Sequence, residues 1–163
     1  MSALALPQHQ LRLAVYQPDQ PQNTGAMLRL AACFGLGFDI IEPCGFILSD
    51  ARLRRVAMDY GTLVVPTRHR DWEQFQSASQ PRRIILLSTH AVLGYSACNY
   101  CHDDILMVGQ ESAGVPEHVH TAVAVRVVIP LAPSARSLNV GVAAAIVVSE
   151  AIRQLREQQY ACG

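Results

Sequence analysis

Three short segments bring together the residue types that binding and transfer chemistry need. Asn23-Thr24-Gly25-Ala26-Met27-Leu28-Arg29 places an amide, a hydroxyl and a guanidinium within about two turns of a helix. Gly109-Gln110-Glu111-Ser112-Ala113-Gly114-Val115-Pro116 surrounds one carboxylate with two glycines and a proline, the composition of a shaped loop. Ser134-Ala135-Arg136-Ser137-Leu138-Asn139-Val140 precedes a long apolar stretch. There Ser137 or Asn139 could cap a helix and leave backbone N–H groups for a ligand. Taken singly, each segment also reads as ordinary structure: a capped helix with a surface arginine, a tight strand-to-helix turn, a simple cap.

A fourth pattern points elsewhere. Cys98-Asn99-Tyr100-Cys101-His102 spells C-x-x-C-H, the attachment pattern of c-type haem. That chemistry needs export, and MSALALPQHQ has neither the early positive charge nor the apolar core of a signal peptide. A zinc site on Cys98, Cys101 and His102 lacks an obvious second ligand pair. A polar loop with free thiols is the preferred reading. No P-loop and no nucleophile elbow occur. Gly35-Leu36-Gly37 follows a helix rather than a strand, which argues against a dinucleotide fingerprint.

The elements that must position these groups alternate along the chain. Strands are predicted at Leu11–Tyr16, Phe38–Ile41, Leu63–Val65, Arg83–Leu87, Ile105–Val108 and Val123–Ile129. Helices are predicted at Asn23–Phe34 with Asn23 as N-cap, Asp50–Met58, Asp71–Ser77 and Leu138–Gln158. The strands are continuous apolar runs. The expectation is an α/β fold, a mostly parallel sheet with helices on both faces. Ligands of such sheets sit beyond the carboxyl ends of the strands, so the loops after Leu87, Val108 and Ile129 are the places to look. Val140–Val148 is apolar all round, which requires cover on every side and suggests a partner subunit.

The 163 residues suit a single domain, with residues 1–10 read as a flexible extension. Half the residues are apolar, 16% are charged and the formal net charge is zero, so a strongly basic nucleic-acid binder is not indicated, although local basic patches can exist. No run approaches the roughly 18 apolar residues of a membrane span. Five cysteines without a leader point to a cytoplasmic protein with free thiols.

In order and spacing the three segments, NTGxxxR, GxExxGVP and SLNV before a long helix, resemble the signature motifs of the SPOUT methyltransferases that act on ribose 2′-hydroxyls. Tyr16-Gln17-Pro18, Ile41-Glu42-Pro43-Cys44-Gly45-Phe46, Arg52-Leu53-Arg54-Arg55 and Asp59-Tyr60 resemble its TrmL type, the tRNA (cytidine/uridine-34)-2′-O-methyltransferases. The resemblance runs from about Leu11 to Leu155 and includes the small size of the wobble enzymes, which carry no added RNA-binding domain. It implies a C-terminal trefoil knot, S-adenosyl-L-methionine as cofactor, S-adenosyl-L-homocysteine as product, no metal, a tRNA substrate and a homodimer. It puts cofactor contacts near Leu87, Gly109, Ile129, Leu131, Ser137 and Leu138. It gives catalytic or supporting roles to Arg29, Asn23, Glu111 and Asn139, with Asn23 and Glu111 orienting Arg29 and its loop. A guanidinium does not readily lose a proton, so Arg29 reads as a phosphate clamp and electrostatic stabiliser, and the base is left open.

One departure bears on the substrate. The wobble enzymes often carry serine and asparagine where Val140-Gly141 stand here, and SLNVGVAAA is nearer the tRNA guanosine-18 branch. Another tRNA or rRNA position is therefore an alternative, as is a non-catalytic knotted RNA-binding protein. A flavodoxin-like module would need a glycine-rich loop after the first strand, where Gln17-Pro18-Asp19-Gln20-Pro21 stands. Arg52, Arg54, Arg55, Arg68, His69 and Arg70 are candidate tRNA contacts, or simply a solvated charged face.

Overall fold

A computed structural model describes residues 5–49, 51, 55 and 64–161. Seven strands form one sheet in the order β3-β2-β1-β6-β4-β7-β5, parallel at every pairing among the described residues. The strands are β1 (Arg12–Tyr16), β2 (Gly37–Ile41), β3 (Thr67–His69), β4 (Ile84–Leu87), β5 (Leu93–Gly94), β6 (Ile105–Val108) and β7 (Val125–Val128). The helices are α1 (Pro21–Phe34), α2 (Trp72–Ser79), α3 (Glu117–Ala122) and α4 (Val140–Ala161), with a 3-10 turn at Tyr95–Ala97.

The continuous apolar strands are explained by a core on each face. In β1, Leu13 and Val15 pack with Met27 and Leu28 of α1 and with Val147 and Val148 of α4. Ala14 and Tyr16 point the other way, toward Trp72 and Phe75 of α2 and Val119 of α3. Fully burying a side chain of this size contributes about 1.5–3 kcal/mol, and both faces supply many such residues.

Several boundaries differ from expectation for local reasons. Helix α1 starts two residues earlier, because Pro21 takes the first helical position and Gln20 the N-cap. Asn23 is therefore inside the helix, its side chain released for other partners. The third strand is not Leu63–Val65: Val64 and Val65 lie outside any strand, Leu63 outside the described residues, and the sheet continues through Thr67–His69. That polar segment is accepted because its histidine has a buried partner. Asp39 of β2, 3% exposed, receives Arg12 Nε at 2.6 Å and Arg12 Nη2 at 3.0 Å. His69 Nε2 lies 2.8 Å from Oδ1, the oxygen that also accepts from Arg12 Nη2. The expected helix at Asp50–Met58 falls almost entirely outside the described residues, as do Arg52, Arg54 and Asp59-Tyr60. Helix α2 is capped by Asp71, which accepts from Gln74 N at 2.8 Å.

The C-x-x-C-H segment lies at the amino ends of β4 and β6, the edge opposite the one where ligands of parallel sheets sit. Arg83 grips buried Asp104 with two hydrogen bonds, at 2.9 and 2.7 Å, and also holds Asn99 O at 2.7 Å. Gln154 of α4 bonds Cys98 O and Tyr100 N. Cys98 is buried and Cys101 exposed, and Cys33, Cys44, Cys98 and Cys101 are all free thiols. Among the described residues no group of three His, Cys, Asp or Glu side chains is disposed to hold a metal ion. No described helix is long and apolar enough to cross a membrane.

Candidate cofactor site at the carboxyl edge of the sheet

Parallel strands all end on one side, and β4, β6 and β7 end side by side there. Their terminal loops open a cavity of about 560 Å³, within the usual range for small-molecule sites. Leu87 and Ser88 follow β4, Gly109 to Val115 follow β6, and Ile129 and Leu131 follow β7. Ser137, Leu138 and Asn139 close it from the start of α4. All six residues expected to hold a cofactor, Leu87, Gly109, Ile129, Leu131, Ser137 and Leu138, line this cavity. Asn23, Glu111 and Asn139 line it too. Arg29 does not: it lies six residues beyond Asn23 on the exposed side of α1.

The loop after β6 is shaped by its glycines. Gln110 and Gly114 exchange backbone hydrogen bonds at 2.9 and 2.8 Å, folding the loop back on itself. Gly114 has φ +66°, the left-handed region that favours glycine. A Cβ at Gly109 would come within 2.7 Å of the Gly114 backbone, so no side chain fits there. The result is a bare backbone wall facing the cavity.

One chain of hydrogen bonds ties the three segments together. Asn139 Nδ2 donates to Asn23 Oδ1 at 3.1 Å, and Asn23 Nδ2 donates to Glu111 Oε1 at 3.2 Å. Asn139 also caps α4, its Oδ1 accepting from Gly141 N at 2.9 Å and Val142 N at 3.2 Å. Of the two candidate caps, Ser137 and Asn139, it is Asn139 that serves. The other oxygen of Glu111 accepts from Asp19 N at 3.3 Å. Asp19 in turn accepts from the Ser112 hydroxyl. Asp19 follows Gln17, whose φ of +42° turns the chain sharply where β1 ends. Asp19 and Ser112 were not anticipated. The only sign in the sequence was an acid between two prolines.

Burial pushes the Glu111 carboxyl above its ordinary 4.5, and the adjoining Asp19 pushes it further. Asp19 is held below its ordinary 3.8, chiefly by its hydrogen bond with Glu111. Of the pair, Glu111 is therefore the carboxyl that keeps its proton to the higher pH. A raised carboxyl contributes stability that is full below its unfolded value and lost as pH rises through its folded one. The lowered Asp19 acts in the opposite window, losing its contribution only in acid. Glu111→Gln keeps the shape and removes the first dependence. The melting temperature of this variant relative to the native protein should therefore rise as the pH is raised above Glu111's ordinary 4.5. A difference that stays flat or falls in thermal unfolding would contradict a raised Glu111.

The cavity fits an adenosyl cofactor on two grounds: its size and a glycine-built backbone wall for close approach. The sequence profile described as the SpoU rRNA methylase family matches residues 10–149. The chain therefore belongs to that family. It is 53% identical over 145 residues to the tRNA (cytidine(34)-2′-O)-methyltransferase of Beijerinckia indica, covering 88% of this chain and 91% of the relative. A solved structure concerned with the 2-OH methylation of C/U34 on tRNA matches with a TM-score of 0.85 and 35% identity, over 90% of this chain and 97% of that one. The AdoMet-bound rRNA methyltransferase from Sinorhizobium meliloti shares the fold, with a TM-score of 0.82 and 23% identity over 93% of this chain and 59% of that one.

Proposed function

We propose that this chain moves a methyl group from S-adenosyl-L-methionine to the ribose 2′-hydroxyl of nucleotide 34 of tRNA, releasing S-adenosyl-L-homocysteine. The observation that carries the reading is the hydrogen-bonded junction of Asn23, Glu111 and Asn139 at the mouth of a cavity lined by every residue expected to hold the cofactor. The named activity of the 53% identical relative supplies the nucleotide.

Bound there, the cofactor supplies an electrophilic methyl carbon on a sulfonium. The protein supplies alignment. Backbone at Leu87, Gly109, Ile129, Leu131, Ser137 and Leu138 holds the adenine and ribose. Asn139 fixes the start of α4, and Asn23 and Glu111 lock the other two loops to it. Arg29 holds a substrate phosphate beside the attacking hydroxyl and stabilises charge there. No metal takes part. The segment through Ser137 is threaded as a trefoil knot, the arrangement the family resemblance implies.

The protein works in the cytoplasm as a homodimer. Val142 is 49% exposed on the otherwise apolar first turns of α4, which supports a partner subunit on that face. Arg29, outside the cavity of its own chain, then has a route to a site shared between protomers.

The test is methyl transfer from labelled S-adenosyl-L-methionine to bulk tRNA, with nuclease digestion and mass spectrometry. A 2′-O-methyl group on nucleotide 34 of anticodon fragments is the expected result. Methylation elsewhere, as the Val140-Gly141 departure would favour, overturns the nucleotide. No transfer to tRNA or rRNA, with no cofactor bound, overturns the enzyme.

A further inference from the structure

Two carboxyl groups meet where the loop after β1 touches the loop after β6, and their four oxygens are short of donors. Glu111 Oε1 accepts from Asn23 Nδ2 at 3.2 Å, and Glu111 Oε2 accepts from Asp19 N at 3.3 Å. Asp19 Oδ2 accepts from the Ser112 hydroxyl. Asp19 Oδ1 is buried and receives no donor from the described residues. A buried acceptor without a donor is costly, and such groups are rare in folded proteins. Part of the cover over Asp19 is the loop after β2. There Gly45 N donates to Pro18 O at 2.9 Å, and a Cβ on Gly45 would stand 2.9 Å from Asp19 Cβ.

An atom sealed from water must find its donor within the protein, and the neighbouring acid can supply one. Two ionised carboxylates offer only lone pairs and repel each other. One proton between them turns that repulsion into a charge-assisted hydrogen bond. Glu111 Oε2 is the oxygen turned toward Asp19, because Oε1 is taken by Asn23. The main influences on the two acids are burial, each other, Ser112, Asn23 and the adjoining backbone, and none of these is a cation. In the loop after β2, Glu42 is engaged by Arg68, and burial pushes the Cys44 thiol up to about 11, which keeps it neutral.

We infer that Asp19 is a positioning residue: its Oδ1 accepts the acidic proton of Glu111, and this shared proton clamps the loop after β6 to the chain just before α1. Asp19 stands two residues ahead of Pro21, where α1 begins. The clamp therefore joins the Gly109 to Val115 wall of the cavity to the helix that carries Asn23 and Arg29. As pH rises through the Glu111 titration the proton leaves, two like charges face each other and the loops part. Cofactor affinity then falls. Asp19→Asn makes the same clamp without a proton, its Nδ2 donating to ionised Glu111 and its Oδ1 accepting from Ser112. The positioning role rests on the proposed cofactor, whereas the bond itself is tested without it.

Carbon-13 NMR of glutamate-labelled protein follows the Glu111 carboxyl, its signal assigned by its loss in Glu111→Gln. Calorimetry with S-adenosyl-L-homocysteine reads affinity on either side of that titration in the native protein, Asp19→Asn and Asp19→Ala. The expected native midpoint lies above the ordinary 4.5, and in D19N it falls below the native one, because an amide donor favours the ionised form. Native affinity should weaken at least about threefold from the acid to the alkaline side. D19N should hold its affinity within about twofold across the same range, and D19A should be weaker than D19N on both sides. A native midpoint at or below the ordinary value, or one unmoved in D19N, overturns the shared proton. An affinity in D19N that follows the native pH dependence, or native affinity in D19A, overturns the positioning role. Failure of the native protein to bind S-adenosyl-L-homocysteine at any pH overturns the functional reading and the positioning role with it, while the NMR titration still decides the proton.

Discussion

Arg29→Ala is expected to slow methyl transfer to tRNA at least about a hundredfold, while S-adenosyl-L-homocysteine affinity stays within about twofold of native. The two halves of this expectation come from the same helix. Asn23 and Arg29 are six residues apart on α1, about 9 Å along its axis. Asn23 reaches the cavity and bonds Glu111 and Asn139; Arg29 does not line it. The buried side of α1 is Thr24, Gly25, Met27, Leu28 and Ala31, so removing the exposed Arg29 side chain leaves the packing of the helix on the sheet intact. The proposed role of Arg29 is toward RNA phosphate and developing charge, which a planar guanidinium serves with two parallel hydrogen bonds. Lysine keeps the charge and loses the fork, so Arg29→Lys should recover only part of the activity. Calorimetry and single-turnover transfer assays read the two halves separately. Loss of cofactor binding in Arg29→Ala would place Arg29 in the cofactor site and contradict the division of labour.

The central elements were legible because burial on two faces leaves a plain mark. A run such as Ile105-Leu106-Met107-Val108 has no polar residue to spare and is a buried parallel strand. The strand-end loops were legible for the same reason, since in a parallel sheet they all share one edge. The start of α1 was misread because asparagine at position 23 is a good cap in isolation, whereas Pro21, fixed near helical φ, determines the first turn. Strand β3 was missed because Thr67-Arg68-His69 is polar; its place in the sheet depends on Asp39, 30 residues from His69 and invisible to any local pattern. β5 is two residues long, too short to show a period. The junction at the cavity mouth joins residues separated by 88 and 116 positions. Each member alone reads as a cap or a turn. Only the order of the three segments, matched to a family, placed them together.

Asp39 carries the largest expected effect on stability. It is the acceptor for two cations or donors at once, Arg12 from β1 and His69 from β3, and its side chain is only 4% exposed. The two partners differ: Arg12 keeps 27% of its side chain in solvent and His69 only 7%. Asp39→Ala leaves Arg12 a path to water but strands the His69 nitrogen against Phe75, whose ring lies 5.1 Å away edge-on. Removing one member of a buried, hydrogen-bonded charge cluster costs about 3–5 kcal/mol. For a chain of this size that lowers the melting temperature by about 6–20 °C. Asp39→Asn should cost less than alanine, since its single amide oxygen still accepts from one partner, yet its NH2 faces the donors of the other. Arg12→Ala should be the mildest of the three, because the charge it removes was partly solvated and Asp39 keeps its bond to His69. The ordering Asp39→Ala, Asp39→Asn, Arg12→Ala, from most to least destabilising, is read from urea unfolding with unchanged m values. Cofactor affinity at low temperature should be native in all three, because none of these residues lines the cavity. An Arg12→Ala cost equal to that of Asp39→Ala would show that the exposed arginine, and not the burial of the acid, holds β2 and β3 in register.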